Sequence, residues 1–448
     1  MKNILVLYNG QSMYTPTVQD YVGAFRKYSR NNISYLHVAH NTQPCFSFDD
    51  YDVLVITYSC RLCYMEMWSP HIRKAVADFR GLKVALPQDE YQETNKLRDG
   101  LRELGVRVVL TCVPEDRIAW VYPPELFPGV RFRRVLTGYV PSQLQYIPRR
   151  ALPRTDARNV FVGYRGRSLG HCWGDLAYWK MEIGVRFKRA CERRGIPHDI
   201  GWTEKDRIYQ DKWYSFIASC RTMVGTPSGC NVFDFDGQLE REYKELIRRK
   251  PKLTYEEYRP KIAHKEAEID MGQASPRMFE EAALGTAMVL LEGSYSNVVT
   301  PGEDCIVVRR DFSNIDDVLD QVADSSRVQA VADAAYRNLI ESGKWSYESF
   351  IAQFDEAIEV DGPDDEVLLD ATRVIGSKGY DQGFLEGLSL KSNSQYPMSC
   401  WLDLSHLRSD VAEHHMIFDE LLAAGEKPVE RASGWERARS YMRRLRRT

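Results

Sequence analysis

The chain has 448 residues, a formal net charge of −3 at pH 7 and 44% hydrophobic residues, which together predict about two to three globular domains. There is no overall basic excess of the kind that tracks nucleic acid, and no apolar run reaches the ~20 residues that span a bilayer. Met1-Lys2-Asn3 leads straight into a strand-like segment, not a signal peptide.

In residues 1–150 strand and helix signals alternate. Asn3-Ile4-Leu5-Val6-Leu7-Tyr8 predicts a first strand, residues 18–28 a helix, and 33–38 and 51–57 two further strands. A helix at 69–79, a strand at 82–86, a helix at 94–104 and a strand at 106–111 follow. Apolar strands separated by helices and short polar loops imply a right-handed, parallel, doubly wound sheet. Residues 141–153, rich in proline and polar side chains, read as a linker.

A second series occupies residues 151–358. Residues 159–163 predict a strand, 183–194 a helix ending at Gly195, and 219–225 a strand. A charged, tyrosine-bearing helical insert fills 238–270. Strands at 288–292 and 305–308 and a helix at 313–322 complete the series. Residues 359–448 change character: an acidic break at 361–366 precedes largely helical sequence. Its end, Arg437 to Arg447, holds six arginines, and either rests on an anionic membrane surface or stays solvated. Ten cysteines at irregular spacing predict reduced thiols in the cytoplasm. Cys60-Arg61-Leu62-Cys63 lacks the second pair that zinc would need and reads as two thiols at a strand end.

Residues 275–286 are the most informative segment. Ser275 predicts an N-cap, Pro276 suits the first helical position and Gly285 closes the helix; the apolar run after it reads as a central parallel strand. A helix opening in this way offers free N–H groups, a positive dipole end and the Arg277 guanidinium: a seat for phosphate. Glu280 is an acceptor for a sugar hydroxyl. Glu281, roughly 100° away around the helix, is expected to stay out of the same site, pairing with Arg277 or facing solvent.

Ser275-Pro276-Arg277-Met278-Phe279-Glu280-Glu281-Ala282-Ala283-Leu284-Gly285-Thr286 resembles the donor-site helix of GT-B glycosyltransferases. The resemblance is to the bacterial polysaccharide-biosynthesis and spore-maturation-like group with a family 1/4-type C-terminal domain. Tyr164-Arg165-Gly166-Arg167, Asn231-Val232-Phe233-Asp234-Phe235-Asp236-Gly237, Glu292-Gly293-Ser294-Tyr295-Ser296 and Arg310-Asp311-Phe312-Ser313-Asn314 match the same group in the same order. The match covers roughly residues 80–355 and is strongest near 225–315. It implies two facing Rossmann-like α/β domains, an acceptor domain followed by a donor domain, with a helical C-terminal extension. It also implies transfer of a sugar from a nucleotide donor, UDP-linked above all, to a lipid-linked or saccharide acceptor in cell-surface polysaccharide assembly. The resemblance calls for no cofactor and no metal; the charge balance predicts no nucleic acid partner, and the cysteines and the arginine-rich end predict a cytoplasmic protein that can sit at the inner membrane face.

Several residues are expected to carry that chemistry. Gly163 and Gly166 let backbone approach a ligand, Arg165 and Arg167 offer planar forks to phosphate, and Lys180 completes the cradle. Ser228, Asp234 and Asp236 belong to the donor grip. Family 4-type enzymes hold sugar and ribose with two glutamates eight apart; Glu280 matches the second, but Gly272 occupies the position of the first, so Asp234 or Asp236 takes over. Asp234-Phe235-Asp236 also has the look of a metal-binding Asp-x-Asp, against a turn role beside Gly237. Tyr295 and Ser296 end the next strand near the cleft. If the reaction inverts the anomeric centre, Asp89 after the fourth strand is the candidate base, with His171 and His264 as alternatives; Asp89-Glu90-Tyr91 equally reads as a helix start. Two other functions stay open: a nucleotide-sugar epimerase on the same architecture, and an inactive sugar-nucleotide-binding module.

Overall fold

The computed structural model describes residues 1–360, apart from residues 14, 43, 45, 209 and 210. The expected C-terminal extension and its arginine-rich end lie outside the described residues. Among the described residues no helix is long and apolar enough to cross a membrane, and eight cysteines are free and buried.

Two parallel sheets organise the chain. The first contains β1 (Asn3–Tyr8), β2 (Asn32–His37), β3 (Val53–Ile56), β4 (Leu82–Ala85), β5 (Val108–Thr111) and β6 (Arg131–Arg134), in the order β2-β1-β3-β4-β5-β6. The second contains β7 (Val160–Arg165), β8 (His198–Gly201), β9 (Cys220–Gly225), β10 (Ala287–Leu291) and β11 (Cys305–Val308), in the order β11-β10-β9-β7-β8. Counted within its own unit, each sheet begins with the plan 2-1-3-4-5, so the expected pair of Rossmann-like doubly wound units forms. β3, β4, β5 and β10 are buried throughout and read as continuous apolar or nearly apolar runs, because helices cover both faces of a parallel sheet. β6 and β8 escape sequence reading for the opposite reason. They are edge strands, Arg131-Phe132-Arg133-Arg134 and His198-Asp199-Ile200-Gly201, half exposed and free to carry polar side chains.

Two of the contacts between the units show how they are joined. On one side, the helix Tyr347–Val360 returns to the first unit and packs on Pro16–Tyr28. Phe354 lies 5.0 Å from Phe25 and Phe350 stacks 4.7 Å from Tyr139, while Asp355 accepts hydrogen bonds from the Ser29 hydroxyl and the Arg30 amide. On the other side, the segment ending in Gly237 meets the start of the helix Thr94–Glu103. Glu93 precedes that helix in a left-handed conformation and gives no side-chain cap. The carbonyls of Asp234 and Phe235 instead accept from Thr94 and Asn95 at 3.4 and 2.7 Å, and Tyr91 accepts from the Asp234 amide at 2.8 Å. Open helix amides of one unit are thus satisfied by the other.

Candidate functional site

In the plan 2-1-3-4-5, ligands bind at the carboxyl ends of strands where the order reverses, between the first strand and the third. For the second sheet that point lies between β7 and β9. Arg165 and Gly166 at the end of β7, and Gly225 and Thr226 at the end of β9, line a cavity of about 480 Å³ there. Thr15, Pro16 and Thr17, which follow β1 of the first sheet, form its opposite wall. The cavity therefore lies between the two units, as a ligand shared by both requires.

The helix Pro276–Ala283 aims its N-terminus into this cavity. Ser275 has extended backbone, accepts from the Arg277 amide at 3.4 Å, and lines the cavity with Pro276 and Arg277. A strained turn buttresses that start. Tyr295, Ser296 and Asn297 have φ of 45°, 54° and 60°, a conformation that costs free energy for residues other than glycine and persists where surroundings enforce it. The Ser296 hydroxyl accepts from the Ala274 amide at 3.2 Å, its own amide donates to the Gly272 carbonyl at 2.8 Å, and the Tyr295 hydroxyl donates to the Leu291 carbonyl at 2.6 Å. Tyr295 and Ser296 thus position the helix and do not line the cavity. The helix Pro16–Tyr28 of the first unit also begins at the cavity, with proline at its first position and Thr15 before it. Two positive dipole ends converge there.

Three cations face that space without a hydrogen-bonding or ion-pair partner among the described residues: Arg167, Lys180 and Arg277. The Arg277 guanidinium lies 5.2 Å from the Trp213 ring and 6.0 Å from the Tyr164 ring, which orients it without neutralising it. Burial, assisted by Arg167 and Arg277, pushes the Lys180 ammonium down to about 8, against the pull of Asp89. Arg165 differs. It is ion-paired with Asp199 at 2.8 Å, donates to the carbonyls of Tyr164 and Asp199, and lies over the Phe216 ring at 4.2 Å. Its fork is committed to the protein.

Gly166 lines the cavity as a close backbone approach requires, Gly163 does not, and packing constrains both. A Cβ at Gly163 would stand 2.4 Å from the Cys220 sulfur, and one at Gly166 2.7 Å from the Lys180 carbonyl oxygen. Both glycines answer to neighbouring protein atoms. Gly272 is explained in the same way: with φ of +28°, a Cβ there would fall 1.9 Å from the Ser294 hydroxyl oxygen, so the position that the family gives to a glutamate is closed.

Glu280 lines the cavity, is 4% exposed and accepts from the Trp213 indole N–H at 2.7 Å. Burial holds its carboxyl above the usual range, against the Trp213 bond and Arg277. Glu281, expected to leave the site, lines the same cavity at 1% exposure. Both its carboxyl oxygens are enclosed by protein and have no hydrogen-bond partner among the described residues. Ser228 also lines it and pairs through its backbone with Gln273, at 2.8 and 2.9 Å.

Asp234 and Asp236 are not brought into the cavity. The Asp234 carboxylate accepts from the Leu239 and Glu240 amides at 3.1 and 3.0 Å, and Asp236 from the Gln238 amide at 3.1 Å. Both carboxylates cap the helix Gln238–Arg249. Among the described residues no three His, Cys, Asp or Glu side chains gather as a metal would require. Asp89 is exposed at the carboxyl edge of the first sheet, with φ of +53°, and accepts from the Tyr91 hydroxyl at 2.6 Å. It lines a small crevice with Thr57, Tyr58, Arg61 and Gln88, separate from the larger cavity but close enough to act on Lys180. His171 packs between Tyr243 and Tyr255, and His264 is exposed on the insert; neither lines the cavity.

Thr15, Arg207, Trp213 and Tyr214 complete the lining and were not legible as site residues. Thr15-Pro16 did carry a signal, since it repeats the cap-and-proline start of Ser275-Pro276.

No protein-family model and no curated relative matches the chain. Among solved structures it is similar to an alpha-glucosyltransferase in complex with UDP, at 10% identity and a TM-score of 0.48, over 81% of this chain and 100% of that one. An alpha-glucosyltransferase in complex with UDP-glucose and DNA containing an abasic site is similar at 12% identity and 0.48, over 80% and 99%. Anabaena HepE in complex with UDP-glucose is similar at 12% identity and 0.42, over 80% and 100%.

Proposed function

We propose that this chain is a glycosyltransferase that moves a sugar from a nucleoside diphosphate donor, UDP-linked in the first instance, to a hydroxyl acceptor. One observation carries the reading. Arg167, Lys180 and Arg277, none of them in an ion pair or side-chain hydrogen bond among the described residues, share a cavity with two helix N-termini. A diphosphate is the chemistry that such a site lacks. In this reading the diphosphate leaves with the electron pair of the broken C–O bond, and those cations and dipoles offset its charge without a divalent ion. Glu280, held by Trp213, accepts a hydroxyl of the donor. For transfer with inversion, Asp89 takes the proton of the acceptor hydroxyl as the new C–O bond forms. A lipid-linked or saccharide acceptor in cell-surface polysaccharide assembly is supported by the sequence resemblance alone.

Incubation with radiolabelled UDP-sugars tests the proposal. Transfer to an added saccharide, or slow release of free sugar and UDP, is the expected result. A 2-epimer as sole product would make the chain an epimerase, and binding without turnover an inactive module; either overturns the proposal.

A further inference from the structure

The helix Gly174–Arg194 carries Lys180 and starts without a cap of its own: Trp173 precedes it and its side chain accepts nothing from the first turn. Amides at a helix start need acceptors from elsewhere. Glu266, from the charged insert, supplies one, its Oε1 accepting from the Asp175 amide. Gly174 makes room for that carboxyl: its φ is +75°, and a Cβ there would fall 2.4 Å from Glu266 Oε1. The Tyr255 hydroxyl bridges the pair, 2.6 Å from Asp175 Oδ1 and 3.0 Å from Glu266 Oε1. The Arg259 guanidinium lies 3.3 Å from Asp175 and 3.7 Å from Glu266, so the two acids share one cation. The Glu266 side chain is 9% exposed, which leaves it few alternatives to this geometry.

The same insert holds the loop that leads into the helix. His171 Nε2 lies 3.2 Å from the Leu253 carbonyl, and Cys172 is buried with Leu253, Tyr255 and Tyr258. Arg167 stands four residues before His171, and Lys180 six residues after Gly174. Contacts made by the insert therefore lie between the two cavity cations in sequence, on the stretch that connects them. Among the described residues none of 238–270 lines the cavity itself. The insert can reach a ligand only through that loop and that helix start, and small misplacements of a charged group cost binding and rate. We propose that Glu266 is a positioning residue: as a cap supplied from the insert, it fixes the first turns of the helix and so aims the Lys180 ammonium at the donor's diphosphate. This inference rests on the nucleotide-sugar reading of the cavity.

Calorimetric titration of the full chain with UDP, in the native and the Lys180→Ala backgrounds, tests it. Glu266→Ala is expected to weaken UDP about tenfold in the native background and less than about twofold where Lys180 is already gone, because groups that act as one unit are not additive. Tyr255→Phe removes only the bridging hydroxyl and keeps the ring that stacks 4.3 Å from Tyr178, so it serves where Glu266→Ala does not fold. It is expected to weaken UDP about threefold, with the same dependence on Lys180. Glu266→Gln keeps an acceptor oxygen for the Asp175 amide and is expected to stay within about threefold of the native chain. Unchanged UDP affinity in the native background, an equal loss in both backgrounds, or a Glu266→Gln chain as weak as Glu266→Ala would each overturn the inference. If the native chain binds no UDP, the nucleotide reading of the cavity falls and this inference with it; if it binds UDP and the loss does not depend on Lys180, only this inference falls.

Discussion

Trp213 donates its indole N–H to the Glu280 carboxylate at 2.7 Å, joining the helix Asp211–Ser219 to the helix that opens at Ser275. The same indole faces the Arg277 guanidinium at 5.2 Å, so one side chain sets both an acid and a base of the cavity. Trp213→Phe keeps an aromatic face for Arg277 and removes the donor. Glu280, 4% exposed, is then left unpaired, which costs about 1–3 kcal/mol. Urea unfolding should report a loss of that size. A Trp213→Phe chain as stable as the native one would mean that this bond contributes nothing to holding the site.

Arg277→Ala and Glu280→Ala address the ligand directly. Each should raise the UDP-sugar dissociation constant at least tenfold, about 1.4 kcal/mol, in a fluorescence or calorimetric titration. Arg277 makes no ion pair among the described residues and only moderates the buried Glu280 and Glu281 carboxyls, so its removal should reduce affinity by more than it reduces stability. Unchanged affinity in both variants would remove the helix N-terminus from the nucleotide site.

Asp234→Ala separates a cap from a donor grip. The Asp234 carboxylate serves the Leu239 and Glu240 amides, and loss of an N-cap costs about 0.5–2 kcal/mol. Stability should fall by that amount while UDP affinity stays within about twofold. A tenfold loss of affinity with intact stability would return Asp234 to the ligand.

Physical reasons separate what the sequence revealed from what it hid. The strands of the two sheet centres were legible because parallel strands buried on both faces are written as apolar runs, such as Val53-Leu54-Val55-Ile56. Edge strands β6 and β8 carry no such run. The Ser275-Pro276 helix start was legible because capping is local, decided by residues two or three apart. Trp213 and Glu280 are 67 residues apart, and nothing local marks their bond. Glu281 was misread because helical spacing fixes direction around an axis, not which neighbours enclose the helix. Asp234 and Asp236 were misread because an extended Asp-x-Asp has the same spelling whether it holds a ligand or caps the next helix.

Asp89→Asn tests the acceptor side. A general base contributes typically 10²–10⁴-fold to rate. If Asp89 takes the acceptor proton, turnover should fall within that range while UDP binding, which depends on the separate cavity, is unchanged. The amide still accepts from the Tyr91 hydroxyl, so the left-handed turn should persist. Native turnover in Asp89→Asn would exclude this residue as base.

Glu90, next in sequence, has a different fate and gives a pH prediction free of ligand. It is fully buried and accepts from the Tyr122 hydroxyl at 2.6 Å, the Cys112 amide at 3.0 Å and the Thr111 hydroxyl. Burial pushes its carboxyl up from 4.5 to about 7 despite those bonds, with Asp89 adding to the rise. Because the folded pKa lies above the unfolded one, the folded state holds a proton between pH 4.5 and 7 that the unfolded state has lost. Stability from this group therefore declines as pH rises through that window, by at most about 1.4 kcal/mol per pH unit, and is level above it. Glu90→Gln sets an amide N–H against the Cys112 N–H and should lower stability at every pH. It should also remove this group's share of the slope, so that native and variant unfolding curves converge from pH 4.5 to 7. Parallel curves across the window would show that Glu90 stays ionised inside the fold, held by its three donors.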